Sequence, residues 1–295
     1  MKRLLVLSGK GGTGKTTIAA ALVALLKPLA IADCDVDAPN LHLVAKPKST
    51  PETYAFLGGD KAVVDQMRCN SCGSCESLCR FDAIHLEKDG AIVNEYLCEG
   101  CGVCVAVCGQ KAIHLQKDVA GSRELYKNGR IFSTATLKMG RGNSGKLVSE
   151  VKRAMNQAAK DCDLAIIDGS PGIGCPVIAS INGVDLVLVV AEPSGSGFSD
   201  LQRLIQTIES SQAQVAVCVN KWEVSAKHTQ MIQQYCMDKG IPFVGKIPFD
   251  ELAVSAVNEG KTIVDVNGPA KEAIKRMSEA VLALLDNKNK GEKLL

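Results

Sequence analysis

Two groups of residues in this sequence have the types and spacing to do chemistry. The first is Gly9-Lys10-Gly11-Gly12-Thr13-Gly14-Lys15-Thr16-Thr17, set between an apolar run, Leu4 to Leu7, and an Ala/Leu-rich run, Ile18 to Leu26. Strand, glycine loop and helix start are the context of a phosphate-binding loop. Glycines let successive backbone N–H groups turn inward around phosphate oxygens, which side chains there would obstruct. In the G-x-x-x-x-G-K-[ST] pattern Lys15 reaches the β/γ-phosphates and Thr16 offers its hydroxyl to Mg²⁺. The expected ligand is ATP or ADP with Mg²⁺, cradled by Gly11, Gly12, Thr13, Gly14, Lys15, Thr16 and Thr17.

The second group is an internal repeat of cysteines. Cys69, Cys72, Cys75 and Cys79 are echoed 29 positions later by Cys98, Cys101, Cys104 and Cys108. Two copies of C-x-x-C-x-x-C-x-x-x-C form the pattern of a bacterial two-cluster ferredoxin. Three close thiolates wrap one cubane while the fourth points to the other. Cys69, Cys72, Cys75 and Cys108 are therefore assigned to one [4Fe-4S] cluster, and Cys98, Cys101, Cys104 and Cys79 to a second. Zinc is the competing occupant of four thiolates; a third cysteine at the same short interval argues for iron–sulfur. Arg80 and Gly109 stand where proline usually follows the fourth cysteine, which removes no ligand. Each copy continues into Ala-Ile-His-Leu, at 83–86 and 112–115, expected as short strands pairing with one another. His85 and His114 read as structural on those strands.

Lys10 adds a second lysine to the glycine loop. The run K-G-G-x-G-K-T-T resembles the deviant Walker A of the MinD/ParA/Mrp family, which includes the nitrogenase iron protein. The resemblance implies an ATPase that dimerises with ATP and separates after hydrolysis, with Lys10 reaching across to the partner's nucleotide. Asp33-Cys34-Asp35, delivered by a strand over Leu29 to Ala32, looks like the family's second acidic motif. Asp35 would then orient the attacking water and Asp33 support the metal shell; Asp37 stands where MinD often has glycine. Leu164 to Ile167 is an apolar strand ending at Asp168, the Walker B arrangement that holds Mg²⁺, and Gly169-Ser170-Pro171-Gly172 resembles the second switch. The family also implies that Asn220 reads the adenine edge and that Pro248 and Asp250 close over the base.

The elements that must position these groups follow from periodicity. Short apolar strands at 185–191, 215–219 and 243–247 alternate with helical stripes at 198–211, 226–239 and 269–285. This implies an α/β fold: a doubly wound, mostly parallel P-loop NTPase sheet with a small inserted α+β ferredoxin-like domain. The ATPase domain is expected over 1–59 and 119–286, the insertion over 60–118, and a frayed polar tail over 287–295. The segments 87–90 and 116–121 read as turns, and 140–146 as a glycine-rich loop before a helix running to Lys160. A subsidiary reading gives Lys146 a contact across the dimer. Cys175 reads as a free buried cysteine.

At 295 residues the chain allows about two domains, and a net charge of +2 makes no case for nucleic acid as a partner. Met1-Lys2-Arg3 leads directly into a strand, and no apolar run suits a membrane span. A cytoplasmic location without stable membrane insertion is the expectation. Thirteen cysteines there point to metal ligation rather than disulfides. The leading expectation is an ATP-hydrolysing dimer, of this chain with itself or a related ATPase chain, that couples nucleotide state to electron transfer with a redox partner protein. The alternatives are a Mrp-like carrier that delivers a cluster to an Fe–S acceptor, and a nucleotide-switched scaffold with structural clusters.

Overall fold

The computed structural model describes residues 1–47 and 49–291. The chain divides into two compact units. One comprises Met1–Thr53, Arg123–Thr136 and the chain from Ser144 onward; the other comprises Tyr54–Ser122 and Leu137–Asn143.

In the first unit, β1 (Lys2–Leu7) feeds the glycine loop and α1 (Lys15–Leu26), followed by β2 (Ala30–Asp33) and a one-turn α2 (His42–Ala45). Three strands pass from one unit to the other along the chain: β3 (Glu52–Val64), β6 (Ile113–Lys127) and β7 (Ile131–Leu137). Between β3 and β6 come α3 (Ser74–Ser77), β4 (Ile84–Glu87), β5 (Gly90–Val93) and α4 (Val103–Val107). The first unit then continues through α5 (Ser144–Ala158), β8 (Leu164–Asp168), α6 (Cys175–Ile181), β9 (Leu186–Ala191) and α7 (Gly195–Glu209). It closes with β10 (Gln214–Asn220), α8 (Ala226–Asp238), β11 (Phe243–Ile247), α9 (Glu251–Asn258) and α10 (Pro269–Gly291).

The strand order is β11-β10-β9-β1-β8-β2-β7, and each of these neighbouring pairs is parallel. Parallel strands covered on both faces need apolar residues on both, and β9, Leu-Val-Leu-Val-Val-Ala, is buried throughout. The alanines of α1 bring it close to the sheet, where Ile18 and Leu22 join Leu4, Val6, Ile31 and Ile166 in one core. Ile274, Met277, Val281 and Leu285 recur at helical spacing on α10 and fill the same core. That helix runs to Gly291, beyond the expected end at Leu285, because nothing in Asn287 to Gly291 breaks it before the glycine; residues 292–295 of the expected frayed tail lie outside the described residues.

The second unit is wider than the 60–118 segment expected as the insertion, and its repeat extends to backbone detail. Asp65 N donates to Ala112 O at 2.7 Å, and 29 positions on Asn94 N donates to Ala83 O at 2.8 Å. Ser71 and Gly100, Gly73 and Gly102, and Asp82 and Lys111 all take positive φ at matching places. The two Ala-Ile-His-Leu copies do not pair with one another. Strand β4 pairs antiparallel with β5, His85 opposite Ile92, while the second copy opens β6, whose neighbours are β7 and β3. Each strand following one cysteine run therefore lies beside the strand preceding the other run, so the pairing crosses between halves. The span 116–121 is strand within β6 rather than a turn.

Candidate functional site

The sheet places the acidic groups beside the glycine loop through register. Strand β8 lies between β1 and β2, with Val6 opposite Asp168 and Asp33 opposite Asp168. Lys15 Nζ lies 2.6 Å from Asp168 Oδ1 and 3.7 Å from Asp35 Oδ2. Thr16 Oγ1 donates to Asp168 Oδ2 at 2.6 Å. Gly14 has φ +90°, and a Cβ there would stand 2.3 Å from Asn220 Nδ2, so only glycine fits. Thr13 Oγ1 is buried with no hydrogen-bond partner among the described residues, a donor left available within the loop.

The three aspartates differ in their surroundings. Asp33 is fully buried and accepts N–H bonds from Asp35, Asn40 and Leu41 at 3.1, 3.1 and 2.9 Å, which fixes the loop carrying Asp35. Burial, with Asp168 adding to it, pushes its carboxyl up to about 7. Burial also raises Asp35 and Asp168, opposed in both by the Lys15 ammonium. Ser170 Oγ donates to Cys34 O at 2.7 Å, tying the stretch after β8 to the stretch after β2.

An open cleft of about 430 Å³ joins these groups to the ends of β10 and β11. Gly11 to Ile18, Asp35, Asn220, Pro248 and Asp250 line it, with Phe249, Val254 and Ile263 supplying apolar wall. Asn220 Nδ2 donates to Thr13 O at 2.8 Å, so this asparagine also braces the glycine loop. Asp250 caps α9 by accepting from Leu252 N at 3.1 Å and caps α10 by accepting from Ala270 N at 3.3 Å. Sequence reasoning missed this double cap, although an aspartate just before a helical stretch is the usual signal. Lys10 turns away from the cleft, 2.5 Å from Glu192 Oε2 and 3.2 Å from Ser196 Oγ. Lys146 is exposed on the first turn of α5. Cys175 is exposed rather than buried, because the Pro171–Gly174 turn sets it at the first residue of α6, where it projects outward.

In the second unit the eight cysteines of the repeat sort around two small cavities of equal size, each about 20 Å³. Cys69, Cys72, Cys75 and Cys108 line one. Cys79, Cys98, Cys101 and Cys104 line the other. Backbone amides approach several sulfurs: Ala112 N to Cys108 Sγ at 3.3 Å, Ala83 N to Cys79 Sγ at 3.4 Å, and Ala62 N to Cys98 Sγ at 3.4 Å. Burial raises the thiols of Cys75 and Cys104, and the two preceding thiols of each run add to it. Among the described residues no three His, Cys, Asp or Glu side chains converge on a single metal-ion site. No helix of the described residues is long and apolar enough to cross a membrane.

The CobQ/CobB/MinD/ParA nucleotide binding domain matches residues 4–263. An uncharacterized protein of Methanocaldococcus jannaschii is 33% identical over 285 residues, 94% of this chain and 95% of its own length. Among solved structures, septum site-determining MinD of Pyrococcus horikoshii complexed with Mg-ADP aligns with a TM-score of 0.57 at 17% identity, covering 95% of each chain. The Cyanothece McdA(D38A)-ATP complex gives 0.57 at 18% identity over 97% of this chain and 96% of that one. These two carry a likeness of fold.

Proposed function

Because this chain belongs to the CobQ/CobB/MinD/ParA nucleotide-binding family, we propose that it is an ATP-hydrolysing switch that couples nucleotide state to electron transfer through two [4Fe-4S] clusters. The observation carrying this reading is that an intact phosphate loop and two four-thiol cavities share one chain. A single Zn²⁺ draws its sulfurs to about 2.3 Å of one point. A four-iron cluster instead takes one thiolate at each of four corners, and four thiols line each cavity. The amides aimed at Cys79, Cys98 and Cys108 fit thiolates, whose charge N–H donors stabilise.

In the cleft, Lys15 transfers from Asp168 to the β/γ-phosphates and balances their charge, while the unpartnered Thr13 hydroxyl and the loop amides supply donors to the phosphate oxygens. Thr16 and Asp168 would hold Mg²⁺, which when bound would neutralise phosphate charge. Asp35 faces the cleft and orients the attacking water; Asp33 holds the backbone that presents it. Asn220, Pro248 and Asp250 border the base. Lys10 leaves Glu192 to meet the nucleotide of a second ATPase chain, this one or a related one. The two thiol sets would hold the clusters, which when bound would supply one-electron transfer to a redox partner protein.

A Mrp-like carrier needs a surface cysteine pair towards the end of the chain. Cys218 and Cys236 are fully buried, and burial pushes their thiols up to about 12 and about 11. The carrier reading is accordingly the weaker one. Anaerobic purification tests the proposal: about 8 iron atoms per chain are expected from two four-iron clusters, and Lys15→Ala should abolish ATP turnover while retaining the iron. Zinc in place of iron, or ATP turnover that survives Lys15→Ala, contradicts it.

A further inference from the structure

The 29-residue repeat lets the two thiol cavities of the second unit be compared position by position. Much of their lining is shared: Ala91 and Leu86 beside the Cys69 set correspond to Ala62 and Leu115 beside the Cys98 set. The amides on the crossing thiols match as well, Ala112 N to Cys108 Sγ at 3.3 Å and Ala83 N to Cys79 Sγ at 3.4 Å. Three matched positions differ in chemistry. Asn70, Ser74 and Gln110 border the Cys69 set, and Glu99, Val103 and Phe81 stand in their places around the Cys98 set.

A four-iron core on four thiolates gains one negative charge when it takes up an electron. Polar groups and donors facing it favour the reduced form, whereas a carboxylate or an apolar cover opposes it. Ser74 Oγ lies 3.7 Å from Cys72 Sγ, a donor towards a thiolate that Val103 cannot supply. At the other cavity Ala62 N, 3.4 Å from Cys98 Sγ, offsets that donor. The two remaining differences act in one direction: Gln110 presents an amide where Phe81 presents a ring, and Asn70 is neutral where Glu99 carries a charge. Charges further out largely cancel. Near the Cys98 set, Lys61, which donates to Cys98 O, and Arg141 stand against Glu95 and Asp118, and Arg141 pairs with both of these carboxylates. Before the Cys69 set, Arg68 Nε lies 3.4 Å from Asp65 Oδ2. Glu76 after Cys75 is matched in charge by Lys111 after Cys108, and Arg80 by Asp82 after Cys79.

On the iron–sulfur half of the proposed function, and independently of the nucleotide cleft, we infer that the site of Cys69, Cys72, Cys75 and Cys108 has the higher reduction potential. A single electron accepted from a one-electron reductant comes to rest there, while Phe81 and Glu99 hold the Cys98 site lower.

An EPR-monitored potentiometric titration of the full chain, prepared anaerobically without nucleotide and with iron counted in every variant, tests it. The wild type should show two one-electron couples separated by at least about 59 mV, a tenfold preference for one site. Gln110→Phe should lower the upper couple alone, and Phe81→Gln and Glu99→Asn should each raise the lower couple alone. In the double variant Phe81→Gln/Gln110→Phe the gap should shrink or invert. Phe81 is 42% exposed and Gln110 is exposed, so these exchanges leave the buried packing in place. Should one of them lose iron, Gln110→Leu and Phe81→Asn make the same exchange of polar for apolar with smaller side chains. Couples closer than this separation, shifts of the opposite sign or in the other couple, or unmoved couples with iron in full overturn the inference alone. Wild-type protein without iron overturns it together with the proposed clusters.

Discussion

At the scale of single residues, neighbouring aspartates divide the work of one motif. Asp33 takes three backbone amides and Asp35 faces the cleft. Removing an acceptor from buried donors costs about 1–3 kcal/mol, so Asp33→Ala should lower the thermal unfolding midpoint of the nucleotide-free protein. Asp35→Ala relieves a partly buried carboxylate and should leave that midpoint unchanged or higher, while ATP turnover falls by about a hundred-fold or more; equal midpoints in the two variants would contradict this division. Lys152 gives a pH signature. Burial pushes its pKa down to about 8 from the ordinary 10.5, so between those values the unfolded chain holds more protons than the folded one. Stability then rises with pH across that window, and the contribution is lost as pH falls through about 8. The difference in unfolding free energy between wild type and Lys152→Met should therefore increase from pH 8 to 10.5, and a flat difference would count against the assignment.

At the scale of elements, the helices and strands around the cleft are held by caps and crossings that depend on distant chain. Asp250 starts both α9 and α10; losing a cap costs about 1 kcal/mol, so Asp250→Ala should weaken stability by about that amount per helix and lower nucleotide affinity through the α9 wall. Isothermal titration with ADP checks it. Much of the site could be read from sequence because its chemistry is local: the glycine loop needs consecutive glycines and Lys15, and Asp168 ends an unbroken apolar strand. What could not be read was decided by non-local packing. The two Ala-Ile-His-Leu runs look like partners by identity, yet β4 takes β5 because a two-residue turn joins them, Lys88-Asp89, leaving the second run to β6. Cys175 looked apolar enough to be buried, but its place at the start of α6 exposes it. Arg141 gives no motif at all, since its partners Glu95 and Asp118 are set by the fold of a repeat 23 or more residues away.

At the scale of the whole molecule, each cavity draws its fourth thiol from the other cysteine run. Cys79→Ser should therefore perturb the cluster proposed for Cys98, Cys101 and Cys104 rather than the one proposed for its own sequence neighbours; a spectroscopic change confined to the Cys69 set would contradict the crosswise arrangement. The P-loop and the cavities belong to separate compact units joined by β3, β6, β7 and the link into α5. The central claim is that nucleotide state alters the redox centres. Its most direct test is a potentiometric EPR titration of the anaerobic protein with Mg·ATP, with Mg·ADP and without nucleotide. The account predicts two [4Fe-4S] signals, at least one of which shifts its midpoint or line shape with ATP. Signals identical under all three conditions, or no iron–sulfur signal at all, would contradict it.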